Sequence, residues 1–308
     1  MRIVLGVPTY NEINFVDLSV SNAVSMGYDH VVYYDDGSTD GTFERLLDYA
    51  SMYPQITVFR SETNSVLTGG TNRWKVLAEC CRTFAPDWIM VRAADETFSH
   101  RSSTLLRSRL SELADTDAIM VSFPVVHLWR SKWWYRADRE WGHSSVTHVN
   151  ESCWRNDSGW EFVGGYLKAR MHGGIHRPNK FSVPYKAVSA NPFGSTSPFP
   201  VVVLHYGMSS HELVAKKLDF QLETADKVSG ADMLPGTKNM PHPSSWHGFN
   251  GYKVGYEAGL GLNKVSQQWF PMQVPNEPKP EIKSLYDVVS KYNKPMAEEY
   301  AKIYGKGV

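Results

Sequence analysis

Residues 31–42 read VVYYDDGSTDGT. Val31, Val32, Tyr33 and Tyr34 make an apolar run of strand length, and it stops at two adjacent carboxylates, Asp35 and Asp36, in a stretch of small and turn-forming residues. The apolar run can be buried in a sheet. The two aspartates must be solvated, hydrogen-bonded or paired, because an unpaired buried charge costs several kcal/mol or more. Open α/β sheets bind ligands at the carboxyl ends of their strands, so this position reads as a site. An architectural reading stands beside it, with Asp36-Gly37 as a turn and Asp40 or Ser38 capping a helix that starts near Gly41.

Working outward, residues 2–92 alternate between strand and helix patterns. Residues 3–7 are a short apolar run closed by Pro8, and 56–59 and 88–91 are further buried strands. Phe15, Leu18, Ser19, Asn22, Ala23 and Met26 recur at helical spacing, as do Phe43, Leu46, Leu47 and Ala50, and a third helix is expected over 74–81. Strands separated by helices need crossover connections, so the expectation is an α/β fold with a Rossmann-like, mainly parallel sheet and helices on both faces. After a strand at 118–123 the pattern changes, and residues 124–205, rich in Trp, His, Arg and Gly, read as short strands and loops. An apolar strand at 201–204 ends at His205-Tyr206-Gly207, and a helix follows over 210–227. The Pro- and Gly-rich stretch 230–280 is expected to be a loop ordered by contact. Two apolar helical faces close the chain, one on Ile282, Leu285, Val288, Val289 and Tyr292, the other after Pro295 on Met296, Ala297, Tyr300, Ile303 and Tyr304.

The 308 residues carry 32 Lys and Arg against 32 Asp and Glu, which removes any general electrostatic argument for a nucleic-acid or acidic-membrane partner. The length is ample for one large or two closely packed domains. Cys80, Cys81 and Cys153 have neither a metal-ligand spacing nor a disulfide framework, so a reducing, cytoplasmic location is expected, with Cys80 and Cys81 as small core residues of a helix. The N-terminal apolar run is too short for a secretory segment and no run approaches membrane-spanning length, so no transmembrane segment is expected.

Four features then fall at the ends of successive strands: Pro8-Thr9-Tyr10-Asn11-Glu12, Asp35-Asp36, residues 61–64 and Ala93-Ala94-Asp95-Glu96. Together PTYNE, DDGSTDGT, the later TGGTNR and AADE resemble the ordered motifs of glycosyltransferase family 2, whose donor half has the GT-A fold. The resemblance is close over residues 1–125 and looser over 126–227. It implies a donor-binding half at 1–125, an acceptor-side half at 126–229 and a Pro/Gly-rich loop with a C-terminal helical extension at 230–308. It implies a nucleotide-diphosphate sugar, foremost a UDP-sugar, held around Pro8, Thr9, Tyr10, Glu12, Asp35, Asp36 and Ala94, with Asn72 and Arg73 over the donor. Carboxylates suit that task because base imides and ribose hydroxyls are donors. The family commonly carries Asp-x-Asp-Asp or Asp-x-Asp-Glu after the fourth strand, and this chain has Ala93 at the first position. The implied metal carboxylate is Asp95, with Mn or Mg also bound to phosphates and water, and His205, leaving its strand as His-Tyr-Gly, as a second ligand.

In the second half, Tyr135-Arg136-Ala137-Asp138 with Trp141, then Met171-His172-Gly173-Gly174, then Leu204-His205-Tyr206-Gly207 resemble a bacterial and phage subgroup of the family in which such runs wall the acceptor side. Inverting transfer needs a base for the acceptor hydroxyl, and Asp138 is the first choice, with Glu161 and Asp157 as substitutes. Trp129, Trp133, Trp134, Tyr135, Trp141, Trp154 and Trp160 suit a carbohydrate-lined cleft as well as a packed core. The acceptor stays open between glycan, protein, lipid-linked sugar and modified DNA. A nucleotidyltransferase would share the nucleotide-binding half, but PTYNE stands where a glycine-rich phosphate loop would be expected. A degenerate fold that binds a glycan or nucleotide without turnover is the reading motivated by Ala93.

Overall fold

A computed structural model describes residues 1–61, 73–100, 102–116, 118, 120–136, 149–156, 187–189, 201–216, 262–264, 267, 270–280 and 285–292, with isolated positions at 294, 295 and 298. The first strands are β1 (Ile3–Thr9), β2 (His30–Asp35), β3 (Ile56–Arg60) and β4 (Trp88–Val91). They lie side by side in the order β4-β1-β2-β3, all parallel. Helices α1 (Ile13–Met26), α2 (Thr42–Met52) and α3 (Arg73–Arg82) make the crossovers the alternating pattern demands.

Strand period sorts the side chains. Ile3, Leu5, Val7, Val31, Tyr33, Trp88 and Met90 pack under Phe15, Val16 and Val20 of α1, Leu46 of α2, and Leu106 and Leu110 of α4 (Ser102–Glu112). Val4, Val32, Ile89 and Val91 face the opposite way, onto Leu77, Ala78 and Cys81 of α3. Helices therefore cover both faces, and Cys80 and Cys81 lie on a packed helix as small residues, Cys81 fully buried and Cys80 partly so.

Beyond β4 the sheet turns antiparallel through β8 (Val149–Arg155), which pairs with both β4 and β6 (Met120–Trp129). The sequence pattern put that strand at 118–123. It instead runs ten residues and carries the chain past position 125 without a break. Pro124, which has no N–H to give a ladder, stands where β6 exchanges β8 and β9 (Ala187–Ser189) for β10 (Val203–Met208). The expectation that His205 leaves a strand is also corrected, since His205, Tyr206 and Gly207 lie inside β10, which pairs with β5 (Glu96–Phe98) on its other edge. Buried neighbours on both sides extend β10 past His205, where the sequence turns polar.

Strand β7 (Trp134–Arg136) pairs with β6 and with β11 (Leu262–Lys264). The described part of the Pro-rich stretch is held by contact, with Phe270 edge-on to Trp133 at 5.0 Å and Val274 against the core. The first C-terminal apolar face forms α5 (Leu285–Tyr292), while the second, and most of the helix expected at 210–227, lie outside the described residues. No helix among the described residues is long and apolar enough to cross a membrane.

Candidate active site

Two loops at the carboxyl ends of β1 and β2 are sewn together by the residues that distinguish their sequences. Asn11 adopts a left-handed backbone, φ 53°, a conformation Asn tolerates. Its N–H donates to Ser38 Oγ at 2.9 Å, and its Oδ1 accepts from the Thr39 N–H at 2.9 Å. The Glu12 N–H donates to Thr42 Oγ1 at 2.9 Å and the Ile13 N–H to Asp40 Oδ2 at 3.1 Å. Asp40 Oδ1 accepts from the Thr42 N–H at 3.0 Å and the Thr42 hydroxyl at 2.6 Å. One carboxylate thus satisfies exposed donors at the start of both α1 and α2, where partial positive charge favours an anion. Of the two caps read for α2, Asp40 is the one that accepts at its start, while the Ser38 hydroxyl accepts from the Asn11 N–H of the other loop instead.

Asp35 and Asp36 are fully buried at the end of β2. The Thr9-Asp35 pairing aligns the ends of β1 and β2, and the Asp36 N–H donates to the Thr9 carbonyl at 2.9 Å. Asp35 Oδ2 accepts from the Gly37 and Ser38 N–H groups at 3.2 and 3.0 Å and lies 3.5 Å from Arg60 Nε. Arg60 also donates to the Ser38 carbonyl at 3.1 Å and lies over the Phe43 ring. Asp35 Oδ1, equally buried, has no hydrogen-bond donor among the described residues. An unsatisfied buried acceptor costs about 1–3 kcal/mol, and at a sheet edge it marks a place for a ligand's N–H or O–H.

The end of β4 lies one strand away, across β1, roughly 10 Å from the end of β2 at two inter-strand spacings. Here Ala93 and the buried Ala94 turn the chain into β5, and the Ala93 N–H donates to Glu96 Oε2 at 3.2 Å. Arg92 is buried between the rings of Phe98 and Phe123, each 4.6 Å from its guanidinium carbon. Its Nη1 donates to the Val91 carbonyl at 2.9 Å. Burial pushes the Arg92 pKa down, opposed by the nearby Glu96 carboxylate, and burial pushes the Glu96 carboxyl up, opposed by Arg92 and His205.

Registers across β5, β10 and β6 align Glu96 with His205 and His205 with His127 in one transverse row. Asp95, just before β5, accepts from the Tyr206 N–H through its carbonyl at 2.8 Å, which seats it beside the row. His205 Nε2 lies 3.1 Å from Asp95 Oδ2, and His205 Nδ1 lies 2.8 Å from His127 Nδ1. The two rings are nearly perpendicular, at 87°, and all three side chains are buried.

The structure therefore brings Pro8, Thr9, Tyr10, Glu12, Asp35 and Asp36 to one edge and joins Asp95 to His205 on the same edge, with Ala94 in the adjoining turn. Asn72, Asp138, Asp157 and Glu161 lie outside the described residues, as does the Arg73 side chain, although Arg73 begins α3. Sequence reasoning did not single out His127, Arg92 or Arg60. His127 was findable as the one titratable residue in the apolar run 120–129, had the strand been carried past Phe123.

Donor atoms at about 2.1 Å from a divalent cation and at right angles to one another stand about 3 Å apart. The 3.1 Å between Asp95 Oδ2 and His205 Nε2 matches that spacing, and a carboxylate with a neutral imidazole suits a manganese-class ion. These residues fit as two ligands of such a site. No cluster of three or more His, Cys, Asp or Glu side chains placed for a metal occurs among the described residues.

The profile of the family described as Glycosyl transferase family 2 matches residues 5–158, half of the chain. No curated protein sequence is significantly similar. Among solved structures, the mannosyltransferase PcManGT from Pyrobaculum calidifontis in complex with GDP-Man and Mn2+ is 17% identical, with TM-score 0.43, over 76% of this chain and 66% of that one. GalNAc-T7 with UDP, GalNAc and Mn2+ is 12% identical, with TM-score 0.33, over 41% of this chain and 23% of that one. This chain spans less than two thirds of the length of either.

Proposed function

Because the chain belongs to glycosyl transferase family 2, with the α/β architecture of the GT-A type, we propose that it transfers a sugar from a nucleotide-diphosphate donor, a UDP-sugar, to an acceptor hydroxyl with inversion at the anomeric carbon. The observation that carries this reading is the meeting of Asp95 and His205 at 3.1 Å, with β1 alone separating their edge from the Asp35-Asp36 turn. A nucleoside diphosphate is long enough to reach from one to the other. Asp36 and Asp35 Oδ1 would accept from the base and ribose, with the Pro8-Thr9-Tyr10 turn and Glu12 lining the same end and Asn72 and Arg73 lying over the donor. A divalent cation held by Asp95 and His205 would neutralise charge on the departing diphosphate. Asp138, with Glu161 as the substitute, would take the acceptor's proton.

Calorimetry with UDP tests the donor site: Asp36→Ala should lose most of its affinity with the fold intact, and unchanged affinity removes the assignment. Asp138→Asn should keep UDP affinity while transfer falls by about two to four orders of magnitude. Near wild-type transfer in that variant, with Glu161→Gln inactive, would assign the base to Glu161. Hydrolysis of UDP-sugar without acceptor, stopped by a chelator, separates an enzyme from a binding protein of the same fold.

A further inference from the structure

We propose that the guanidinium of Arg60, backed by Phe43, is the surface on which the donor's uracil stacks, an inference that rests on the reading of the β1–β2 edge as the nucleotide site. Arg60 ends β3, and the Asp35-Arg60 pairing sets it at the same carboxyl edge as the two aspartates. Three contacts fix its head group. Nε lies 3.5 Å from Asp35 Oδ2, Nη2 donates to the Ser38 carbonyl at 3.1 Å, and the guanidinium carbon stands 4.2 Å from the centre of the Phe43 ring. Phe43, in the first turn of α2, thus covers one side of the group. Even so, 40% of the Arg60 side chain stays exposed, while the Asp35 side chain beside it is wholly buried. A planar cation that is fixed in place, covered on one side and still exposed offers its remaining face to a planar partner.

Distance decides which part of the donor that partner is. In the strand order β4-β1-β2-β3, Arg60 stands three inter-strand spacings, about 14 Å, from the end of β4, where Asp95 and His205 would meet the diphosphate. That exceeds the Debye length of about 8 Å at physiological ionic strength, so the Arg60 charge does little for the phosphates. The base lies at the near end. Asp35 Oδ1, the acceptor without a donor among the described residues, belongs to the carboxylate whose other oxygen lies next to Arg60. A uracil that donates its imide N–H to Oδ1 therefore has its ring beside the guanidinium. The carboxylate reads the edge of the base and Arg60 its face.

The test compares UDP with dihydrouridine diphosphate by calorimetry on the full chain. Reducing the ring keeps the imide edge and the diphosphate but puckers the base and removes its π-face. Wild type should bind UDP about 3- to 30-fold more tightly than the reduced ligand. Arg60→Lys keeps the charge and gives up the plane, so UDP should weaken toward the affinity of dihydrouridine diphosphate, which itself should change little. Phe43→Leu removes the backing and should narrow the same ratio, which keeps the test in force if the lysine variant does not fold. A ratio that survives in folded Arg60→Lys, with or without an equal loss for both ligands, would mean that Arg60 serves the phosphates or only Asp35, and would overturn the proposal. So would a wild type that binds the two ligands equally. A wild type that binds neither overturns the nucleotide reading itself, and this inference with it.

Discussion

Gly6 shows how a single missing side chain sets the distance between a helix and the sheet. A Cβ built there would stand 2.9 Å from Cys81 Sγ and 3.0 Å from Leu77 Cγ, both on α3, tighter than packed atoms tolerate. Gly6→Ala should therefore destabilise the protein by about 1–3 kcal/mol through overpacking, measured by urea unfolding. Cys81→Ala removes the closest atom, so the double variant should be less destabilised than the sum of the single changes. Additive effects would place the strain elsewhere. Cys81 was legible as a core residue from its helical phase, but nothing in a string of letters says which glycine it approaches. The same holds for Asp35 and Asp36: their adjacency marked a site, and only the fold divided the two oxygens of Asp35, giving Oδ2 to the turn and leaving Oδ1 without a donor among the described residues.

At the scale of elements, Asp40 joins two helices that sequence reasoning treated one at a time. It was a candidate cap for α2; it also accepts from Ile13 at the start of α1, from 27 residues away. Removing a helix-start acceptor costs about 0.5–2 kcal/mol, so Asp40→Ala, which unsettles both starts, should cost about 1–3 kcal/mol in thermal or urea unfolding. The loops it ties carry Glu12 and Asp36, and UDP affinity should fall with it. A variant with full stability would show that water replaces the carboxylate at both helices. The strand β10 teaches the complementary lesson. Its end was placed at Leu204 because His205 is polar, yet burial between β5 and β6 continues it to Met208 and lays His205 beside His127.

For the molecule as a whole, the pH dependence of stability should report the N-terminal edge of the sheet. Burial raises the Asp29 carboxyl, but the Ile3 N–H at 2.8 Å and Arg107 at 2.9 Å outweigh it, and its pKa lies below the ordinary value. His30, stacked on Phe84 at 3.5 Å, is also pushed below the ordinary imidazole value, by burial and then by Arg2. In both cases the unfolded chain binds a proton at a higher pH than the folded one, so stability is lost as the pH falls. The His30 share should go first, below the ordinary histidine range, and the Asp29 share below the ordinary carboxylate range. Thermal midpoints against pH should show His30→Gln flattening the first loss and Asp29→Asn the second. An unchanged profile in both would mean that other groups govern acid sensitivity.

The sequence by itself determined the alternation of strands and helices, the parallel arrangement of the first four strands, and the positions at which chemistry could sit, because period, turn residues and the cost of burying charge act locally and can be read along the chain. The pairing of Asp95 with His205, the row that adds His127, the shared cap at Asp40 and the register that lengthens β6 and β10 were decided only by the tertiary structure. Each joins residues distant in sequence through strand registers and burial, and those depend on which segments become neighbours, information that no local window of residues contains.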